Sequence, residues 1–372
     1  MSDTAMDIRL TKVRVMHWIR ELRIDLVRGV PLCRHDVAYA AFTRADANAG
    51  NREAPVHDAS GASFDSYPWL KQRLKETRGM TLRQTPWIKA LAASMLAVCL
   101  SGCEATVFRF VNRGLPPPDL TVPFAPDVGL SMDIYKPLVP MGDKVPVVVF
   151  FYGGSWQRGN REQYQFVGQR LAENGVLAVV ADYRTYPSTV FPGFMDDAAR
   201  AVRRVHDDAA KWGGDSNKLF IAGHSAGAQI AALLATDPRY LHAHGMEPGD
   251  LAGVIGISGP YDFNITGDLV DVFGPSSLWP RAQAVNFVDG NEPPFLLLHG
   301  TGDNVVEYKD SVELAEKLRG NGVPATLKLL PDAGHIKPLA GLYDPKRAPE
   351  VLADMLAFIK RDSTTSNARV GK

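Results

Sequence analysis

The 372 residues are 45% hydrophobic and 22% charged, with 41 Lys+Arg against 41 Asp+Glu. A formally neutral chain has no overall field to draw it to nucleic acid or anionic lipid, so composition argues against a nucleic-acid partner and for a globular protein with a sizeable core. The cysteines, Cys33, Cys99 and Cys103, all fall before Glu104, which leaves no disulfide framework and no cysteine metal site beyond that point.

Residues 1–79 carry 13 Lys+Arg and 10 Asp+Glu and lack any apolar strand-like run. Val15, Ile19, Leu22 and Leu26 follow a helical spacing, and the polar stretch Arg44–Ser66 reads as disordered. A basic segment with Arg83 and Lys89, the apolar run Ala90–Leu100 and the small residues Ser101-Gly102 then form a secretory-type signal from Met80. An apolar run this short cannot span a bilayer, which takes about 20 residues. Because such a signal belongs at an N-terminus, translation is expected to begin at Met80, with residues 1–79 a mis-assigned start. A genuine N-terminal extension is the competing reading. Leu100-Ser101-Gly102-Cys103 resembles the lipobox of bacterial lipoproteins. That resemblance implies a lipidated Cys103 at the mature N-terminus and an exported, membrane-anchored protein on the periplasmic or outer-membrane side.

Residues 104–362 alternate short apolar runs with helix-length segments, and 363–372 read as a tail. Strands are expected at Leu130–Tyr135, Val145–Phe151, Val176–Ala181, Leu219–Ala222, Val254–Ile257, Phe295–Leu298 and Thr326–Leu330. Helices are expected near 160–174, 194–212, 226–236, 308–320 and 348–361. Runs apolar on both faces and separated by helices predict an α/β fold with a mostly parallel sheet covered on both sides.

Gly223-His224-Ser225-Ala226-Gly227 lies between the apolar run Leu219–Ala222 and the helix-forming Ala226–Leu234. A serine on a sharp strand-to-helix turn presents its hydroxyl clear of the sheet, and the flanking glycines leave room for the turn. The hydroxyl is a poor nucleophile until a base takes its proton, and the base needs a carboxylate to orient it. In this arrangement the chain order is serine, acid, histidine. Asp303, in Gly300-Thr-Gly-Asp-Asn304, follows a strand, and His335, in Pro331-Asp-Ala-Gly-His335, is the histidine after it. His299 precedes that acid and is set aside. Asp332 is a rival carboxylate read as a turn residue. His242-Ala-His244 has no third ligand in view and reads as a solvated loop. Asp196 and Asp197 suit the start of a helix and read as structural. No metal or cofactor is called for. Phe151-Tyr152-Gly153-Gly154-Ser155-Trp156 follows a strand and offers backbone N–H groups for a developing oxyanion, joined by the N–H of Ala226.

Tyr152-Gly-Gly-Ser-Trp156, Ala181-Asp-Tyr-Arg184 and Gly223-His-Ser-Ala-Gly227 together resemble the hormone-sensitive-lipase-like branch of the α/β hydrolases. Met132-Asp-Ile-Tyr-Lys-Pro137 is similar to small bacterial esterases and to isoprenylcysteine methylesterase and kynurenine formamidase relatives. The resemblance covers about residues 130–360. It implies a serine carboxylesterase with nucleophile Ser225, acid Asp303 and base His335, and an oxyanion hole of Gly154, Ser155 and Ala226. Tyr152 stands where that family usually carries a histidine that braces the loop. The segment from Gly259 to Phe295 is too short for a large lid, so small to medium esters are expected. Tyr261, Phe263, Phe273, Trp279, Phe287 and Trp156 are candidates to line an apolar pocket. An amidase, formamidase or peptidase would use the same triad, whereas a non-catalytic interaction module on this fold would need none of it.

Overall fold

The computed structural model describes residues 106–141 and 145–365, which belong to one compact unit. The N-terminal extension, the signal-like segment and Cys103 lie outside the described residues.

Eight strands form one sheet: β1 (Leu120–Ala125), β2 (Leu130–Tyr135), β3 (Val147–Phe151), β4 (Leu177–Ala181), β5 (Leu219–His224), β6 (Gly253–Ile257), β7 (Phe295–Gly300) and β8 (Ala325–Leu330). Their order is β1-β2-β4-β3-β5-β6-β7-β8. β1 pairs antiparallel with β2 and β2 antiparallel with β4, while every pairing from β4 to β8 is parallel. The seven expected strands are present. Val145 and Pro146 stay outside β3 because proline has no N–H to give the ladder. β1 was not anticipated. It is an edge strand with Pro123 in it, a register shift between Pro123 and Ala125, and three of its six residues exposed, so its apolar pattern is weak.

The longer helices are α1 (Gln165–Glu173), α2 (Gly193–Asp208), α3 (Ala226–Thr236), α6 (Tyr308–Gly320) and α8 (Pro349–Thr365). Short α4 (Pro238–His242), α5 (Leu269–Phe273) and α7 (Lys337–Tyr343) were too brief to show a period. α8 runs into the segment read as a tail, since neither glycine nor proline follows Ile359 to stop it before Thr365. β3 and β4 are wholly buried, as their unbroken apolar runs require, and α3 is buried on every side, which its Ala-rich sequence permits. α2 instead buries a stripe of Phe194, Met195, Ala198, Ala201, Val202 and Val205 at helical spacing.

The chain leaves β3 for β4 on one side, then returns across to β5 on the other. The carboxyl ends of β3 and β5 therefore flank the point where the winding reverses, and in such sheets that crevice takes the ligand. The turn out of β4 is fixed by Asp197, buried in the first turns of α2. Its carboxylate accepts two bonds from the Arg184 side chain and one from the Arg184 N–H. Asp197 is structural, as read from the sequence, but it acts through an ion pair rather than the helix dipole alone. Arg184→Met strands that carboxylate without a counter-charge and should cost about 3–5 kcal/mol in a urea unfolding titration.

Candidate active site

Ser225 joins β5 to α3 with φ 53° and ψ −121°, a left-handed backbone for a residue with a Cβ. Its N–H donates to Ile257 O at 2.9 Å, and its own carbonyl accepts from Ala228 and Gln229, so both sides of the turn are held. A Cβ on Gly223 would sit 2.2 Å from Gly227 O, and one on Gly227 would sit 2.1 Å from Phe151 O. Both glycines are thus required by contact with backbone, as the spacing suggested.

His335, in the loop between β8 and α7, places Nε2 2.9 Å from Ser225 Oγ. Its Nδ1 lies 2.7 Å from Asp303 Oδ2. Asp303 sits in the turn after β7, and its other oxygen accepts the N–H groups of Val305 and Val306 at 2.8 and 3.0 Å. The three residues called from chain order meet in one hydrogen-bonded line. Burial works against ionisation of Asp303, but the bonds from His299, His335 and Val306 outweigh it and hold the carboxyl well below the usual range. Asp332 is the exposed turn residue expected, at φ 52°, and takes no part.

His224 was read only as part of the turn. It is buried, its Nε2 lies 3.3 Å from His335 O, and its ring centroid is 4.9 Å from that of His335. Burial and the neighbouring His335 push it down to about 3, so the ring is neutral and Nε2 donates to the carbonyl. His242 and His244 do not converge: the first bonds Glu247 and the second Asp196. Among the described residues no group of acidic, histidine or cysteine side chains could hold a metal ion.

The loop after β3 turns through Gly154, Ser155 and Trp156, at φ 140°, 55° and 56°. A Cβ on Gly154 would lie 2.1 Å from Arg158 O, so only glycine fits. The loop is tied by Gln157 N–H to Gly154 O, Tyr186 N–H to Trp156 O and Trp156 Nε1–H to Gln229 Oε1. Among the described residues nothing accepts the N–H of Gly154 or Ser155. Ala226 opens α3, so its N–H has no acceptor within the helix. Tyr152 stacks on Tyr183 with centroids 4.5 Å apart. The Tyr183 hydroxyl donates to Tyr152 O, and the Tyr152 hydroxyl to Tyr183 O. Burial pushes both phenols up, so they remain donors. Farther along, Arg161 bridges Asp133 of β2 and Asp182 beyond β4, a brace that chain order gave no reason to assemble.

A cavity of about 470 Å³ opens over Ser225. Ser155, Trp156, Phe263, Leu269, Val305 and Val306 line it together with the acidic Asp262, Asp268, Glu307 and Asp310. Of the six aromatic candidates, only Trp156 and Phe263 line it, stacked at 5.4 Å. Tyr261 and Phe273 are buried beneath, Phe287 lies under the Arg239 guanidinium, and Trp279 donates to Gly274 O. The expected apolar pocket therefore also carries four acidic side chains.

A parallel sheet whose switch-point crevice holds a serine on a left-handed strand-to-helix turn, in line with a histidine and a buried aspartate, defines the α/β-hydrolase class. Within that class the sequence matches the BD-FAE family over residues 132–318, half of the chain, and the chain belongs to that family. The matched stretch contains Ser225 and Asp303 and stops short of His335. Among curated proteins the chain is similar to a probable isoprenylcysteine alpha-carbonyl methylesterase of Oryza sativa subsp. japonica, 29% identical over 64% of this chain and 61% of that one. It is also similar to esterase LipQ of Mycobacterium tuberculosis, 30% identical over 61% of this chain and 59% of that one. The chain thus spans about three-fifths of the length of these relatives. Among solved structures, Thermogutta terrifontis esterase 2 shares the fold at a TM-score of 0.57 and 24% identity, covering 67% of this chain and 97% of that one. An acetyl ester-xyloside bifunctional hydrolase from Caldicellulosiruptor lactoaceticus does so at 0.56 and 21%, covering 67% and 98%.

Asp310, at the start of α6, faces this cavity while nearly buried. Burial pushes its carboxyl up to about 6 against the Tyr261 and Asp262 N–H groups that favour the charge. A group whose folded value is raised stabilises the fold below its unfolded value near 3.8, and that contribution is lost as pH climbs through about 6. Asp310→Asn should therefore gain in Tm relative to the parent as pH rises from 4 to 7. An equal Tm difference at both ends of that range contradicts the raised carboxyl.

Proposed function

We propose that the chain is a serine carboxylic ester hydrolase acting on small to medium esters through an acyl-Ser225 intermediate. The observation that carries this is the line Ser225 Oγ, His335 Nε2, His335 Nδ1, Asp303 Oδ2 at the base of an open cavity. The relatives named as esterases support the same reading.

Asp303 accepts from Nδ1–H and so presents Nε2 as a base. As Ser225 Oγ attacks the ester carbonyl carbon, His335 Nε2 takes its proton. The carbonyl oxygen becomes an oxyanion and is received by the N–H groups of Gly154, Ser155 and Ala226, for which the described residues offer no acceptor. Collapse breaks the carbon–alkoxy bond, and His335 returns the proton to the leaving alcohol. Water, deprotonated by His335, then attacks the acyl-enzyme, releasing the carboxylic acid and restoring Ser225–OH. The cap is one short α-helix, two 3-10 helices and loops between Gly259 and Phe295, which supports acyl chains of modest length.

The test is a screen of kcat/KM over acyl esters from acetyl to palmitoyl, with amides and formamides alongside. An optimum at short chains is expected, with Ser225→Ala abolishing both turnover and labelling by a fluorophosphonate. Residual activity in Ser225→Ala, or a preference for amides, overturns the reading. His335→Ala should lose most of the rate.

The exported, membrane-anchored location is part of the same proposal. It is supported by the basic and apolar segments before Cys103 and by the lipobox-like Leu100–Cys103. The two or three acyl chains of a lipoprotein anchor hold a domain stably where one does so marginally. In a bacterial host, Cys103→Ser should release the enzyme from the membrane fraction. A variant that stays membrane-bound contradicts the anchor.

A further inference from the structure

His299 ends the apolar face of β7 with no exposed side-chain surface, and the triad as described makes no use of it. Its Nε2 lies 3.1 Å from Asp303 Oδ2 and 3.2 Å from Val306 O. The ionised carboxylate and the carbonyl can only accept, so Nε2 carries a proton and shares it between them. The other ring nitrogen, Nδ1, lies 2.7 Å from Ser311 Oγ, in the first turn of α6. Ser311 has no exposed surface either, so the ring is held on both edges by groups that cannot exchange with water.

The consequence falls on one oxygen. Asp303 Oδ2 receives His335 Nδ1–H at 2.7 Å and His299 Nε2–H at 3.1 Å, while Oδ1 is taken up by the Val305 and Val306 N–H groups. We infer that His299 is a positioning residue of the triad: its Nε2–H fixes the rotation of the Asp303 carboxylate and draws off part of the charge that would otherwise act on His335. A carboxylate held by four donors cannot swing, and its pull on the protonated His335 ring is moderated. Ser311 does for His299 what Asp303 does for His335, holding the ring by the nitrogen away from its task. A histidine that merely filled the end of β7 would need none of this alignment. The inference rests on the ester-hydrolase reading above.

Three variants test it. His299→Phe keeps an aromatic ring and removes the donor. His299→Gln restores an N–H at about the reach of Nε2. Ser311→Ala releases the ring's far edge. With the parent active on a short ester, His299→Phe should lower kcat about 10- to 100-fold, the loss typical when a group orienting a primary ligand is removed, and leave KM within about twofold. The acid limb of its kcat/KM profile should move to higher pH, because a less neutralised Asp303 holds the protonated His335 ring more strongly. His299→Gln should recover most of kcat and the original limb. In parallel, the low-field proton resonance of His335 Nδ1–H should shift in His299→Phe and return in His299→Gln, a readout that needs no turnover. A folded His299→Phe with parental kcat, acid limb and resonance overturns the inference, as does a loss that Gln does not recover. Should His299→Phe fail to fold, Ser311→Ala decides: a fall of about threefold or more in kcat with the same shift of the limb supports the inference, and parental values overturn it. If the parent itself hydrolyses no ester and Ser225 takes no fluorophosphonate, the ester-hydrolase reading has failed, and the resonance alone still reports whether His299 acts on the Asp303–His335 pair.

Discussion

Ser225 occupies a backbone region that costs a residue with a Cβ about 1–3 kcal/mol, and the fold around it leaves the turn no other place to go. On one side the Ser225 N–H is committed to Ile257 of β6, and on the other α3 begins at once with Ala226. Gly223 and Gly227 press against each other's backbone, and Gly227 against the end of β3. Those contacts bring β3, β5 and α3 closer than side chains would allow. The glycine-rich loop of Gly153 and Gly154 leaves β3 at that same contact, so the hydroxyl and that loop are spaced by backbone rather than by flexible side chains. A site built in this way is set before any substrate arrives, which is what electrostatic stabilisation of a transient charge demands.

The second constraint is electrical. A buried aspartate beside a histidine is useful only while it stays ionised, and burial alone would neutralise it. The chain answers with donors from four residues on Asp303, two of them backbone N–H groups of the turn it begins. Asp310 shows the contrary case a few residues on. It has fewer donors and comparable burial, and its carboxyl is pushed up to about 6. The two aspartates differ in the count of N–H groups aimed at them, a difference that residue type does not reveal.

That contrast marks how far the sequence could be read. Strands buried on both faces declare themselves as unbroken apolar runs, and the order of Ser225, Asp303 and His335 follows from the winding of the sheet, so the parallel core and the triad were legible. β1 was not, because an exposed edge carrying Pro123 needs no apolar pattern. His299 was passed over for standing ahead of the acid, a rule that speaks to the base and is silent on what else bonds the acid. The Arg161 brace joins carboxylates from β2 and from the end of β4, which no spacing along the chain brings together. The acidic residues of the cavity escaped for a related reason: Asp262 and Asp268 sit among loop residues, and only the fold of the cap brings them into the cavity that Ser225 lines.

Two glutamines help to hold the cap and, through it, the wall of the pocket. Gln229, buried in α3, accepts from the Trp156 indole at 3.1 Å and donates to Ala282 O at 2.8 Å. Gln283 accepts from Phe263 N–H and donates to Phe263 O, pinning that residue at both ends. Trp156 and Phe263, the stacked pair lining the cavity, are thereby fixed through amides that reach from the elbow helix and from the cap's own backbone. Gln229 thus ties the nucleophile's helix to Trp156 of the cavity wall through a buried hydrogen bond. A change in the cap that displaced Ala282 would leave the Gln229 amide unpaired in the interior, a penalty of about 1–3 kcal/mol that resists drift of the wall.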